Sequence, residues 1–493
     1  MHTTPTWVGL ERRRLLRGGA GALAAAGLGL TPLALVPASV RAADGSDGLA
    51  PLPIPALRPQ VRRLANGLQL VVLPDGVGAA RTGTAAVQVW YQVGGKDDPP
   101  GRSGFAHLFE HLMFKGTRHL ADEAFDRLTE DVGGQNNAFT TEDATAYLNV
   151  VPSNHVERLL WAEAERMAHL QVGEAPLRSE RAVVASEFQQ KVLDDPYGRL
   201  FHAMAPAFWR LHPYRHPVIG RVEELDAASL DDVRRFQTLF YRPDNATLIV
   251  AGDVDPDRVH RWVDQFFGPL TAPATPVPRV SVREPRRVRD ERVTVTAPQV
   301  PAPAVALLWQ APGAAHADAA ALQVAAALLG GGDSARLPSR LVEQVPLAQS
   351  AGFSADLLAD GGMLSAWAIA AGPLVTGADT AASPRLAALE TALLRGVRRL
   401  AQGRIPIGEL DKVRTQLLTE ALVVRQTAEG RALALGWAVV QRRDARAADV
   451  ALAQLQSVRA EDVQRVLHAY VLGVARVSLR YVQEPGAAAG GRP

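Results

Sequence analysis

Residues 104–117 read "GFAHLFEHLMFKGT". Ser103 before this apolar run and Gly116 near its end predict a helix over residues 103–115, with Ser103 as the N-cap. At about 100° per residue, His107, Glu110 and His111 fall within one sector of roughly 100°. Phe105, Leu108, Phe109, Leu112 and Met113 fill the opposite side. The apolar stripe is complete without the polar trio, so the trio forms a second face. Imidazoles four residues apart stand one turn apart and can ligate one ion together. Glu110, one residue before the second imidazole, lies beside such an ion, where it can take a proton from water that a zinc ion acidifies. A bare pair of histidines at this spacing is more often two satisfied side chains than a metal site. The interposed Glu110 and the apolar flanks favour the metal reading.

The rest of the chain narrows the chemistry. None of its 493 residues is cysteine, which excludes disulfides, thiolate metal sites and cysteine nucleophiles. Any metal must therefore be held by His, Asp or Glu. A formal net charge of +2 gives no electrostatic case for nucleic acid. Hydrophobic residues at 47% and charged residues at 21% are a globular balance, and the length calls for two domains.

The N-terminal "ERRRLLRGGAGALAAAGLGLTPLALVPASVRAADG" (11–45) has a basic start, an Ala/Leu/Gly stretch and small residues at Val40-Arg41-Ala42. It reads as an export signal over residues 1–42, cleaved near Ala42, with a retained membrane anchor as the alternative. Arg12-Arg13-Arg14-Leu15-Leu16-Arg17 resembles a twin-arginine signal. The expected location is periplasmic, with no stable membrane span after cleavage.

Residues 43–57 read as a flexible lead-in. Strand patterns follow in "LQLVVLPD" (68–75), "TAAVQVWYQVGG" (84–95) and "NATLIVAGDV" (245–254), with helical patterns between and after them. The expected first domain is 58–270. "GPLTAPATPVPRVSVREPRRVRDE" (268–291) is rich in Pro and Arg without apolar periodicity, so 271–290 is expected to be a linker. The pattern then begins again: "AVALLWQAP" (304–312), a helix at 319–330, strands near 350–372, helices at 383–402, 407–443 and 459–470, and a last strand "VARVSLRYVQ" (474–483). The expected second domain is 291–483, followed by a disordered tail over 484–493. Similar length and order of elements point to an internal duplication. The expected fold class is α+β, two homologous domains, each a mostly antiparallel sheet covered by helices.

Two histidines leave a catalytic zinc short of one protein ligand. "SERAVVASEFQQKV" (179–192) offers Glu180 and Glu187 on one helical face, about 10 Å apart along the axis. Only one can bind readily, and the spacing alone does not say which. His212 and His216 have metal-like spacing, but Pro213 and Pro217 break the helix that such a pair would need.

The H-x-x-E-H order in 107–111 is that of inverzincins. With Phe114, Gly116 and Thr117, the whole of 104–117 resembles the zinc helix of the pitrilysin/insulinase family, which includes processing peptidases and periplasmic members. The resemblance implies one Zn2+ per chain, and a ligand Glu about seventy-six residues after the second motif His that closes an E-x6-E pair. That position is Glu187, so Glu180 becomes the supporting carboxylate. It also implies that "GGQNNAFTTEDATAYLNV" (133–150) holds an active-site edge strand, with Asn137, Ala138, Phe139 and Thr140 against an extended peptide substrate.

Active members of the family carry an Arg and a Tyr, seven apart, in the second domain. Ungapped comparison of "EQVPLAQS" (343–350) puts Val342 and Gln349 there, and neither can replace those donors. The resemblance thus implies a zinc endopeptidase whose Arg and Tyr come from a homologous subunit, in a heterodimer, with a homodimer as the alternative. The rival readings are a non-catalytic or weakly active partner subunit and a metal carrier.

Overall fold

The computed structural model describes residues 50–76, 82–373, 375, 380, 381 and 383–484. The export signal expected at 1–42 lies outside them, as does the tail from 485 onward.

Eleven strands form two sheets among the described residues. Strands β1 (Gln60–Arg63), β2 (Gln69–Pro74), β3 (Thr84–Tyr91), β4 (Gln135–Thr140), β5 (Thr145–Pro152) and β6 (Ala246–Gly252) pair in the order β1-β2-β6-β3-β5-β4. Strands β7 (Glu291–Ala297), β8 (Ala304–Ala311), β9 (Ala348–Leu357), β10 (Gly362–Ala370) and β11 (Val477–Gln483) pair in the order β7-β11-β8-β10-β9. Without β1, the two orders are the same. In each half the first of these strands runs parallel to the last, β2 to β6 and β7 to β11, and every other pairing is antiparallel. The fold is the expected duplicated α+β architecture, read directly from register.

Residues 271–290 contain neither helix nor strand, but packing does not respect that line. One face of each sheet is covered by helices of its own half. The other face is covered by a helix from the opposite half. Gly198–Phe208 places Leu200, Met204 and Phe208 against Leu308, Leu479 and Tyr481 of the second sheet. Ala428–Arg442 places Leu433, Leu435 and Val439 against Val71, Trp90 and Ile249 of the first. Each half thus lacks part of its own core cover, and the exchange buries both outer sheet faces. The expected flexible lead-in is also tied down where described. Leu52 and Ile54 pack on the second core, and the Leu57 N–H bonds Asp449 Oδ2 at 2.9 Å.

Two local expectations need correction. The expected helix over 407–443 is two helices, Ile407–Val424 and Ala428–Arg442, because the Thr427 hydroxyl accepts from Gly430 N and starts a new helix. The motif helix is Phe105–Leu112, and Ser103 does not cap it. Gly104 precedes it with φ +84°, and a Cβ there would meet Ile219 O at 2.6 Å. The first free amides are instead taken by Asp98, which accepts from Gly104 N (2.7 Å) and Ala106 N (2.8 Å).

A polar knot joins the halves beside β4. Lys96 Nζ bridges Asp143 Oδ1 (2.8 Å), in the β4–β5 turn, and Asp360 Oδ2 (2.6 Å), in the β9–β10 turn. Tyr214 donates to Asp143 and accepts from the Asp360 N–H. Next to the knot, burial, then the nearby charges of Asp143 and Asp356, push Glu142 from 4.5 up to about 7. The folded state therefore favours the protonated acid. The cost is absent below pH 4.5, builds as pH rises, and is complete above about 7. Glu142→Gln is expected to raise the melting temperature at pH 8 and to leave it unchanged at pH 4.5, by thermal unfolding at both. A constant difference at both pH values would contradict this. No helix among the described residues is long and apolar enough to cross a membrane.

Candidate metal centre

Every residue of the motif helix except His111 is buried, with His107 fully buried and Glu110 4% exposed. Its apolar side enters the first core, where Phe105 and Phe109 meet Phe236 at ring separations of 5.0 and 5.7 Å. This packing fixes the helix rotation, so His107 and His111 project together, their rings 4.9 Å apart and nearly perpendicular.

The third arm comes from the Glu174–Phe188 helix, which ends in a widened turn over Gln189–Leu193. Glu187 Oε2 lies 3.6 Å from His107 Nε2 and 3.8 Å from His111 Nε2. Bonds of about 2.0–2.2 Å at tetrahedral angles put zinc ligands roughly 3.3–3.5 Å apart, so Glu187 stands close to a zinc-ligand separation from both imidazoles, and the three side chains offer ligand atoms within 4.8 Å of one another. Among the described residues, this is the one group of three such side chains placed to share an ion.

Glu180 takes a different place. Its Oε2 lies 3.3 Å from His111 Nδ1, and its Oε1 takes Lys115 Nζ at 2.6 Å. An ion on Nε2 of a ring is on the far side from Nδ1, so this contact places Glu180 behind His111. It can fix the tautomer that offers Nε2 to the metal. Burial alone would raise the Glu180 carboxyl, but the bonds from His111 and Lys115 outweigh it and hold the carboxyl below its usual range. Lys191 plays the same part for Glu187, its Nζ 2.7 Å from Oε1, leaving Oε2 toward the imidazoles.

Glu110 Oε2 accepts a 2.6 Å bond from the Thr140 hydroxyl. Beside it runs β4, one of the two edge strands of the first sheet. The four residues expected to meet substrate do not all present side chains outward. Ala138 is buried in the core. Phe139 stacks on Trp437 at 5.7 Å and meets Trp90 edge-on at 5.4 Å. Asn137 Oδ1 accepts from Ala138 N at 2.9 Å. β4 ends the sheet, so its outer main-chain edge has no strand partner among the described residues.

His212 is buried, its Nδ1 accepts from Tyr214 N, and its ring lies tilted against that of Tyr214 at 4.1 Å, so it serves the loop and not the metal. Val342 packs against the second core and Gln349 Nε2 lies 3.3 Å from the Tyr197 hydroxyl. Lys191, four residues after Glu187 on a continuous helical path, is a pair that spacing alone reveals, whereas Lys115 lies beyond the motif helix and pairs with Glu180 of a distant helix, which no local spacing shows.

Residues 78–221 match the family profile described as insulinase (peptidase family M16), and residues 227–417 match the one described as peptidase M16 inactive domain. The zinc protease PqqE of Helicobacter pylori is 31% identical over 352 residues, covering 71% of this chain and 76% of that protein. The crystal structure of a protease from Helicobacter pylori superposes with a TM-score of 0.80 at 28% identity, over 87% of this chain and 100% of that one. A probable mitochondrial-processing peptidase subunit beta from Arabidopsis thaliana is 26% identical over 271 residues, 55% of this chain and 50% of that protein.

Proposed function

The chain belongs to the M16 (insulinase) peptidase family, and from that premise we propose that it is a zinc-dependent endopeptidase acting on peptides or unfolded protein segments. One observation carries the reading: His107, His111 and Glu187 converge to a zinc-sized separation with Glu110 on the same helix beside them. His107, His111 and Glu187 would hold a zinc ion, which would supply Lewis acidity and lower the pKa of a bound water. The chain's own residues do the rest. Glu110 accepts the proton of the attacking water and returns it to the leaving amine. Glu180 orients His111, and Lys191 steadies Glu187. The open edge of β4 holds an extended peptide by main-chain pairing, which recognises shape more than sequence.

The proposal extends to a partner. Val342 and Gln349 leave the second half without the Arg and Tyr donors expected of active members, and one relative is named as a subunit. The chain is read as the zinc-bearing member of a heterodimer, and the basic, small-residue N-terminus supports export to the periplasm. The test is to load the purified chain with zinc and assay cleavage of an unstructured peptide, alone and with a homologous subunit carrying Arg and Tyr. Weak, chelator-sensitive cleavage that rises with the partner is expected. Full activity alone would remove the heterodimer, and no cleavage in either case would remove the peptidase.

A further inference from the structure

Thr140 was expected to face substrate, yet its side chain is spent on the catalytic machinery. It is the last residue of β4 and pairs in register with Thr145 of β5. Its Oγ1 lies 2.6 Å from Glu110 Oε2 and 3.4 Å from Thr145 Oγ1. The Thr145 proton is already committed to the Val93 carbonyl, at 2.9 Å. Thr140 therefore has a short bond to a carboxylate in one direction and a long contact with an occupied hydroxyl in the other. Its proton goes to Glu110.

We infer that Thr140 is the positioning residue of the general base. Its hydroxyl holds one oxygen of Glu110, so the other is free to face a water. The inference rests on the zinc peptidase reading above and deepens it. Two features make the contact more than packing. Glu110 is buried and sits on a helix whose rotation the core fixes, so one bond settles where its carboxylate points. The bond also comes from the edge strand itself. A peptide pairing with β4 adds hydrogen bonds to the strand that aims the base, so binding substrate steadies the base at the moment it is needed. The strand is anchored on both faces for this task, by Ala138 in the core under the motif helix and by Phe139 between Trp90 and Trp437.

The experiment compares Thr140→Val, which keeps the shape and loses the hydroxyl, with Thr140→Ser, which keeps the hydroxyl. Thr140→Val is expected to lower kcat by about 10- to 100-fold, as misplacement of a base does, with KM and zinc affinity by chelator competition little changed. Thr140→Ser should recover most of the rate. In a Glu110→Gln background, Thr140→Val should cost nothing further, because its effect passes through Glu110. An intact rate in Thr140→Val, or an equal loss in both backgrounds, would overturn the inference. A second measurement does not depend on catalysis. In the zinc-free protein, the melting-temperature changes of Thr140→Val and of Glu110→Ala, which removes the acceptor, should be non-additive, and additivity would break the link. Should the zinc-loaded parent cleave no peptide, the peptidase reading fails while this unfolding cycle still decides the contact.

Discussion

Glu110→Gln is expected to bind zinc as the parent does and to cleave peptide on the order of 100- to 10,000-fold more slowly, the usual worth of a positioned base. The substitution keeps volume and can still accept from Thr140, so the helix and its buried surroundings should stay in place. What it loses is the ability to take a proton. Neither His107 nor His111 can take over, because their Nε2 atoms face Glu187 in the metal-binding group. Zinc content by metal analysis and cleavage of an unstructured peptide are the two readouts. The pairing matters because a metal carrier would pass the first test and have no activity for the second to reduce. Loss of zinc along with activity would mean that Glu110 is itself a ligand and that the assignment of roles within the motif is wrong.

The metal face was legible in the sequence because helical periodicity is a local property. Seven residues suffice to show that His107, Glu110 and His111 leave the apolar stripe. The duplication was legible for a similar reason, since strands and helices recur in the same order on either side of a Pro- and Arg-rich stretch. Non-local contacts were not legible. The residues alone left Glu180 and Glu187 open, because which of them meets the imidazoles depends on how the Glu174–Phe188 helix lies against the motif helix, and it was the family resemblance that named Glu187. The same holds for Thr140, whose role follows from the register of β4 on β5. The exchange of Gly198–Phe208 and Ala428–Arg442 was hidden more deeply. Pro206 makes the first look like a loop, and nothing in the Arg425–Thr427 break carries a Gly or Pro to separate the second from its neighbour. Gly104 hid the helix start, because a close approach to Ile219 requires glycine where Ser103 looked like the cap.

Zinc affinity should separate the two carboxylates cleanly. Glu180→Gln is expected to weaken zinc binding by roughly 10- to 100-fold, the usual cost of removing a partner that orients a ligand. Glu187→Gln removes a ligand and should weaken it by more than that. The difference follows from which side of His111 each acid occupies. Glu180 has both oxygens engaged, one at Nδ1 and one on Lys115, and cannot reach an ion on Nε2 without giving up both. Glu187 already has Oε2 at 3.6 and 3.8 Å from the two Nε2 atoms, and Lys191 holds its other oxygen. Its movement to a metal is a matter of tenths of an ångström. Competition with a chromogenic chelator at fixed pH measures both variants on one scale. A Glu180 variant that binds more weakly than the Glu187 variant would exchange the two roles, and the widened turn after Phe188 would then have no part in presenting a ligand.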